Sequence, residues 1–192
     1  MGPVTTIRSF RPADAAAVAA LIARCLREVN SRDYPPDLID RMCAHFTPER
    51  MIELSGIREI FVATSTARAA EPLSESPPRP DSRPAPEPHA PPASESVFRP
   101  AAEPASGTVL GTVSRDGNKV FTMFVDPRAH GQGIGRKLMT HIEGLAEADG
   151  FDHMETGASI SAHDFYRRLG YSDVRVSETD FGLNYILRKP LA

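Results

Sequence analysis

Apolar residues in this chain repeat with two different periods, and the places where the period switches mark its elements. Residues 5–10 alternate apolar and polar, as a half-buried strand does. Arg11 and Pro12 break that strand, and Asp14 stands where a helix N-cap is expected. Val18, Leu21, Ile22, Cys25, Leu26 and Val29 then form one stripe at helical spacing. After a loop at 30–36, a second helix is predicted over about 37–46, with Leu38, Ile39, Met42 and Cys43 inward. Thr47, Pro48 and Glu49 restart a helix as cap, first residue and dipole partner, and Gly56 ends it. Residues 58–64 read as the next strand. Residues 108–114 are another, followed by a two-residue type I′ turn at Asp116-Gly117. Lys119 then leads into VFTMFV, an unbroken apolar run of the length of a fully buried strand. A helix after Gly135 carries Leu138, Ile142, Leu145 and Ala146 inward. A strand at 151–156, a short helix at 162–169 closed by Gly170, and strands at 171–177 and 184–188 around a loop at 178–182 complete the order. The sum is an α/β chain. Its mixed central sheet is flanked by helices, antiparallel in its first half and containing one strand–helix–strand crossover.

Between 65 and 106 the pattern is lost. About a quarter of these residues are proline, and large apolar side chains are nearly absent apart from Leu73, Val97 and Phe98. Such a stretch buries too little apolar surface to offset its chain entropy, so it is expected to be disordered with polyproline II character. It would join two strands that otherwise make a plain hairpin. Closing a loop of this length costs only a few kcal/mol, because the cost grows logarithmically. The domain expectation is therefore one domain from 1–64 and 107–192, with a Pro-rich disordered insertion at 65–106 between strands 2 and 3. PPRP and PAPEP lie within it, so a docking role for polyproline readers stands beside the plainer reading of a tolerated insertion.

Composition narrows the partners. A net charge of −3 in 192 residues gives no reason to expect nucleic acid or an anionic membrane as the main partner. No apolar run has the length of a membrane-spanning helix. The two cysteines, Cys25 and Cys43, fall on predicted helices with apolar neighbours, which suits reduced thiols in a cytoplasmic protein and no metal site.

The chemistry concentrates in VDPRAHGQGIG, residues 125–135. Pro127 stops the buried strand, Gly131, Gly133 and Gly135 make a tight turn, and a helix begins. Glycines let a ligand approach the backbone, and the free N–H groups and positive dipole of a helix start favour an anion. The spacing excludes a Walker loop and the G-x-G-x-x-G dinucleotide fingerprint. A ligand-free glycine turn is the plainer alternative. The stretch resembles the pyrophosphate loop of the GNAT superfamily of N-acetyltransferases, V-x-P-x-x-[RQ]-G-x-G-[IL]-[GA], at Val125, Pro127, Gly131, Gly133, Ile134 and Gly135. His130 departs from it, standing where that family has Arg or Gln. A second stretch, SISAHDFYRRLGY at 159–171, resembles the signature N-x-x-A-x-x-F-Y-x-x-x-G-[FY] of the same family at Ala162, Phe165, Tyr166, Gly170 and Tyr171, with Ser159 in place of Asn. The order of elements is that of the GNAT fold throughout, outside the insertion.

The resemblance implies acetyl-CoA as acyl donor. It implies a coenzyme site at Met123, Phe124, Val125, His130, Gly131, Gln132, Gly133, Ile134, Gly135, Arg136 and Ser159, with Tyr166 as the acid that meets the departing sulfur. The buried strand carries no Glu, so Glu155, two residues from His153 on one strand face, is the expected base. A strand-end pair satisfied by its neighbours is the alternative for these two. The acceptor would be a primary amine of a small molecule or peptide, met by loops 30–36 and 178–182, where Asp33, Glu178 and Asp180 could attract a cation. Two other readings stay open: an acyl-CoA-binding regulatory module without catalysis, and a scaffold engaged through the Pro-rich stretch. Pairing of edge strands into a homodimer is also open.

Overall fold

The computed structural model describes residues 4–66 and 107–191. Seven strands form one sheet in the order β1-β2-β3-β4-β5-β7-β6. They are β1 (Val4–Ser9), β2 (Glu59–Thr66), β3 (Thr108–Asp116), β4 (Lys119–Val125), β5 (His153–Ala158), β6 (Ser172–Thr179) and β7 (Gly182–Pro190). All neighbours run antiparallel except β4 and β5. That parallel pair is bridged by α4 (Ile134–Ala148), as a crossover requires.

The period-2 alternation of β2 decides the two cores. Ile60 and Val62 point to one face and pack with α1 (Ala15–Glu28), α2 (Pro36–His45) and α3 (Pro48–Ser55). Phe61 and Ala63 point to the other and pack with α4 and α5 (His163–Arg168). The stripe on α1 is buried as its spacing predicts, with Val18 and Ile22 fully inaccessible. Each such side chain contributes roughly 1.5–3 kcal/mol by leaving water.

Several boundaries differ from the sequence expectation. β2 continues through Ser65 and Thr66, because Ser65 pairs with Thr108 and Thr66 with Val4. The predicted insertion therefore loses its first two residues to the sheet, and the rest of that expectation, disorder included, lies outside the described residues. The β3–β4 turn is Gly117-Asn118, since Asp116 pairs with Lys119. Only its first residue has positive φ, +57°, which is the pattern of a type II′ turn and not of type I′. Of the loop expected at 178–182, all but Asp180 and Phe181 belongs to β6 or β7, with Thr179 opposite Gly182. Asp14 stands before α1 but makes no side-chain cap, because its carboxylate is taken by both Arg8 guanidinium nitrogens, at 2.7 and 2.8 Å, and by the Arg11 N–H. Thr47 caps α3 as expected, accepting from the Arg50 N–H at 3.2 Å.

Candidate active site

The sheet is split at the parallel junction of β4 and β5. β4 and β5 pair at Lys119 with Glu155 and at Val120 with Thr156, and then part. Beyond that point β4 follows β3, while β5 follows β7. A β-bulge helps turn β4 away: Ser114 faces Phe121 and Thr112 faces Phe124, so β4 holds one extra residue. Thr122 lies in the bulge with φ +45°, a conformation a β-branched residue adopts only where the surroundings impose it.

A cavity of about 500 Å³ occupies the split and is lined from both faces of the sheet. On the α4 face, Met123 and Val125 of β4 meet the glycine turn, Phe165 and Tyr166. On the α1 face, Phe124 meets Met42, Phe46 and Phe181. Gly131 and Gly133 have φ of +77° and +76°, and a Cβ at either would meet nothing within 4 Å. Backbone conformation therefore demands glycine there, and the space above the turn is open to a ligand. Lys137 is the first α4 residue whose N–H reaches an intrahelical acceptor, Gly133 O at 3.0 Å. Helix geometry leaves the N–H groups of Ile134, Gly135 and Arg136 without one, at the positive end of the dipole. Gly135 serves a different purpose: a Cβ on it would lie 2.9 Å from the Phe165 ring. An ion pair between Arg24 of α1 and Asp126, which also accepts from the Arg128 N–H at 3.0 Å, fixes the strand end that feeds this turn.

Tyr166 sits at the vertex of the split. It is 3% exposed and shares a hydrogen bond with the side chain of Thr156, the last β5 residue paired to β4. Burial pushes its hydroxyl up to about 12, so it is a proton donor at any physiological pH. Cys25 also lines the cavity. Its thiol donates to Val125 O at 3.2 Å, and burial together with the Asp126 charge raises it to about 12. Val125 O is shared with the His130 ring, whose Nε2 lies 3.0 Å away, so His130 folds back on the strand end. Ser159 lines the cavity beside Ser161, and both hydroxyls accept from the Asn30 amide, at 3.4 and 3.2 Å.

Of the site residues expected from sequence, Met123, Phe124, Val125, His130, Gly131, Gly133, Ile134, Gly135, Ser159 and Tyr166 come together around this one cavity. The Ile134 side chain is 1% exposed and belongs to the core, so only its backbone is available. Gln132 and Arg136 lie outside the lining, as does Glu155, whose carboxylate is held by Arg188 at 2.9 Å. His153 bonds Asn118 at 2.9 Å and Asp152 at 2.5 Å. Asp33, Glu178 and Asp180 do not line the cavity either; the same loops contribute Asn30 and Phe181 instead. Asn30, Thr156, Phe46, Phe181 and Arg168 escaped sequence reasoning. Only their nearness to the two motifs or to the named loops pointed to them.

Among the described residues, no group of three or more His, Cys, Asp or Glu could hold a metal ion, and no helix is long and apolar enough to cross a membrane.

Comparisons agree with this geometry. Residues 96–186 match the family model for an acetyltransferase (GNAT) domain. The search of curated proteins finds no match. Among solved structures, a GCN5-related N-acetyltransferase from Rhodopseudomonas palustris is similar at TM-score 0.69 and 18% identity, covering 100% of this chain and 99% of that one. PaiA N-acetyltransferase of Thermoplasma acidophilum, solved with coenzyme A, has TM-score 0.63 and 13% identity over 97% and 99% of the two chains. The ribosomal-protein-S18-alanine N-acetyltransferase of Escherichia coli has TM-score 0.58 and 15% identity over 98% and 95%. Residues 96–186 thus match a GNAT acetyltransferase domain, and the split-sheet fold is shared with these N-acetyltransferases over nearly the whole chain.

Proposed function

We propose that the chain transfers an acetyl group from acetyl-CoA to a primary amine by direct attack of the amine on the thioester. The observation that carries this is the β4–β5 split, with the open glycine turn and α4 start at one mouth and a separate wall of side chains at the other. Open space over Gly131 and Gly133 and the free N–H groups of the α4 start suit a pyrophosphate. The exposed Arg168 guanidinium at the rim adds positive charge for an anionic coenzyme. Beyond Val120 the edge of β4 that faces β5 is unpaired, so backbone N–H groups of the Met123–Val125 stretch there can serve the pantetheine arm and the carbonyl oxygen, while Phe124 stays paired with Thr112 of β3 and Val125 O is taken by Cys25 and His130. Acetyl-CoA supplies the activated carbonyl.

The residues then divide the work. Cys25 is held as a thiol that donates to a carbonyl, which argues against an acyl-cysteine intermediate and for direct transfer. In that transfer the amine nitrogen bonds the carbonyl carbon, the C–S bond breaks, and an amine proton leaves through water. Tyr166 donates to the sulfur as charge develops. Full transfer from a hydroxyl at about 12 to a thiolate near 8.5 is uphill by roughly 5 kcal/mol, so a strong hydrogen bond is its main contribution. Glu155, held by Arg188 outside the lining, reaches the amine only through a water chain.

The reading extends to organisation. We take 1–66 and 107–192 as one acetyltransferase domain with 67–106 as a removable insertion, and place the chain in the cytoplasm, where Cys25 and Cys43 stay as free thiols. β6 is an edge strand with Val174 and Val176 exposed, which favours pairing of two copies there. The Escherichia coli relative is named for the alanine of a ribosomal protein, so peptide amines belong among the acceptors to try. The regulatory reading draws on one observation: no Asp or Glu among the described residues lines the cavity. Thiol release from acetyl-CoA in the presence of amines separates the two. The enzyme releases coenzyme A with an accepted amine, whereas a sensor binds acetyl-CoA and releases none.

A further inference from the structure

We propose that the acceptor is an arylamine, bound uncharged with its ring against Phe46, Phe124 and Phe181. This rests on the acetyl-transfer reading and names the substrate class for the same site.

The cavity has two chemically different ends. The α4 end is backbone and glycine, suited to an anion. The α1 end is a wall of rings brought from three separate places: Phe46 at the end of α2, Phe124 on β4 and Phe181 in the β6–β7 turn. Phe46 and Phe124 stand edge to face with centroids 6.0 Å apart, and His45 stands against Phe46 at 5.0 Å and Phe181 at 5.1 Å. His45 lies outside the lining and backs these rings; burial and the nearby Arg50 and Arg58 charges hold its imidazole below the usual range, which favours the neutral ring there. Met42 and Leu26 line the same side. Phe46, Phe124 and Phe181 are only partly buried, packed against the core beneath and open above it. Such a surface favours a planar apolar ligand, which can meet these ring edges and faces.

Charge decides what kind of amine. An alkylammonium ion must be desolvated to enter and must lose a proton before it attacks. A site built for one places a carboxylate at the cavity. Here no Asp or Glu among the described residues lines it, and the polar side chains on this side, Asn30 and Asn184, are neutral. Asp33, Glu178 and Asp180 lie on the flanking segments but outside the lining. An arylamine fits this environment because its nitrogen is already neutral near pH 7, so it enters without an ion's desolvation cost and attacks without a base. The products are an N-aryl acetamide and coenzyme A thiol, with one amine proton replaced by the acetyl group.

The test uses the full chain with acetyl-CoA and four acceptors: aniline, benzylamine, cyclohexylamine and spermidine. Expected is a kcat/KM for aniline at least about 10-fold above each of the others. Phe46→Ala and Phe181→Ala should each lower the aniline value about 10-fold or more, with acetyl-CoA affinity by calorimetry unchanged. Preference for any of the three alkylamines overturns the proposal. So does an absence of transfer to aniline with acetyl-CoA bound, or a selectivity that neither substitution alters in a folded variant. Failure to bind acetyl-CoA instead overturns the acetyl-transfer reading beneath it.

Discussion

Tyr166 and Asp14 are both buried polar side chains, but they serve different ends. Tyr166 lines the cavity at the vertex of the split, and its hydroxyl keeps its proton. Tyr166→Phe should reduce kcat by about 100-fold and leave acetyl-CoA affinity unchanged, measured by thiol release and calorimetry side by side. Asp14 lies outside the cavity lining. Its carboxylate, 2% exposed as a residue, is held below the usual range chiefly by its hydrogen bonds from Arg8. A lowered folded-state value means stability that is whole above pH about 4, and lost as pH falls through the lowered value. Asp14→Ala should therefore cost about 3 kcal/mol at pH 7 by denaturant unfolding, with the gap to the parent narrowing in acid. Tyr166 and the three glycines were legible because their neighbours spell a local pattern. Asn30, Phe46 and Phe181 were not, since only folding brings residues from α1's end, α2 and the β6–β7 turn to one wall.

At the scale of elements, the α4 start shows two glycines required for opposite reasons. At Gly133 a Cβ has room, but φ is +76°. Gly133→Ala should cost about 1–2 kcal/mol of backbone strain and weaken acetyl-CoA binding, with the core packing undisturbed. At Gly135 a Cβ would lie 2.9 Å from Phe165 and 3.2 Å from Met123. Gly135→Ala should lose about 1–3 kcal/mol by forcing these side chains apart, seen as a fall in Tm of a few degrees. Among the described residues, the seven strands and five α-helices were all legible in the sequence, because an apolar stripe needs a partner wherever it lies. Periodicity missed the β3–β4 turn by one residue, and it read a loop where β6 and β7 meet. Turn register depends on which residues pair across the strands, and Thr179 opposite Gly182 closes that hairpin without any apolar signal. Nor did it reveal the β4 bulge, because VFTMFV reads as a regular buried strand and the extra residue shows only against β3.

For the whole molecule, the proposed function rests on a sheet whose halves are held apart. α1, α2 and α3 cover one face and α4 and α5 the other, so the two ends of the cavity are built by different helices. The stretch from 67 to 106 leaves from a strand end held beside the one where the chain returns, Ser65 opposite Thr108. Replacing it by a short turn should preserve Tm and acetyl transfer; loss of folding would show that the stretch belongs to the domain. That the chain divides into a patterned domain and a Pro-rich insertion was legible from composition. The two-sided character of the cavity was not, because it depends on the pairing of β4 and β5 ending after Val120 and Thr156.

The most direct measurement is calorimetric titration of the full chain with acetyl-CoA, repeated on Gly133→Ala. Saturable binding with one site per chain, weakened by the substitution, is the expected result. Absence of binding by the folded parent chain would contradict the assignment of the split sheet and its glycine turn as a coenzyme site.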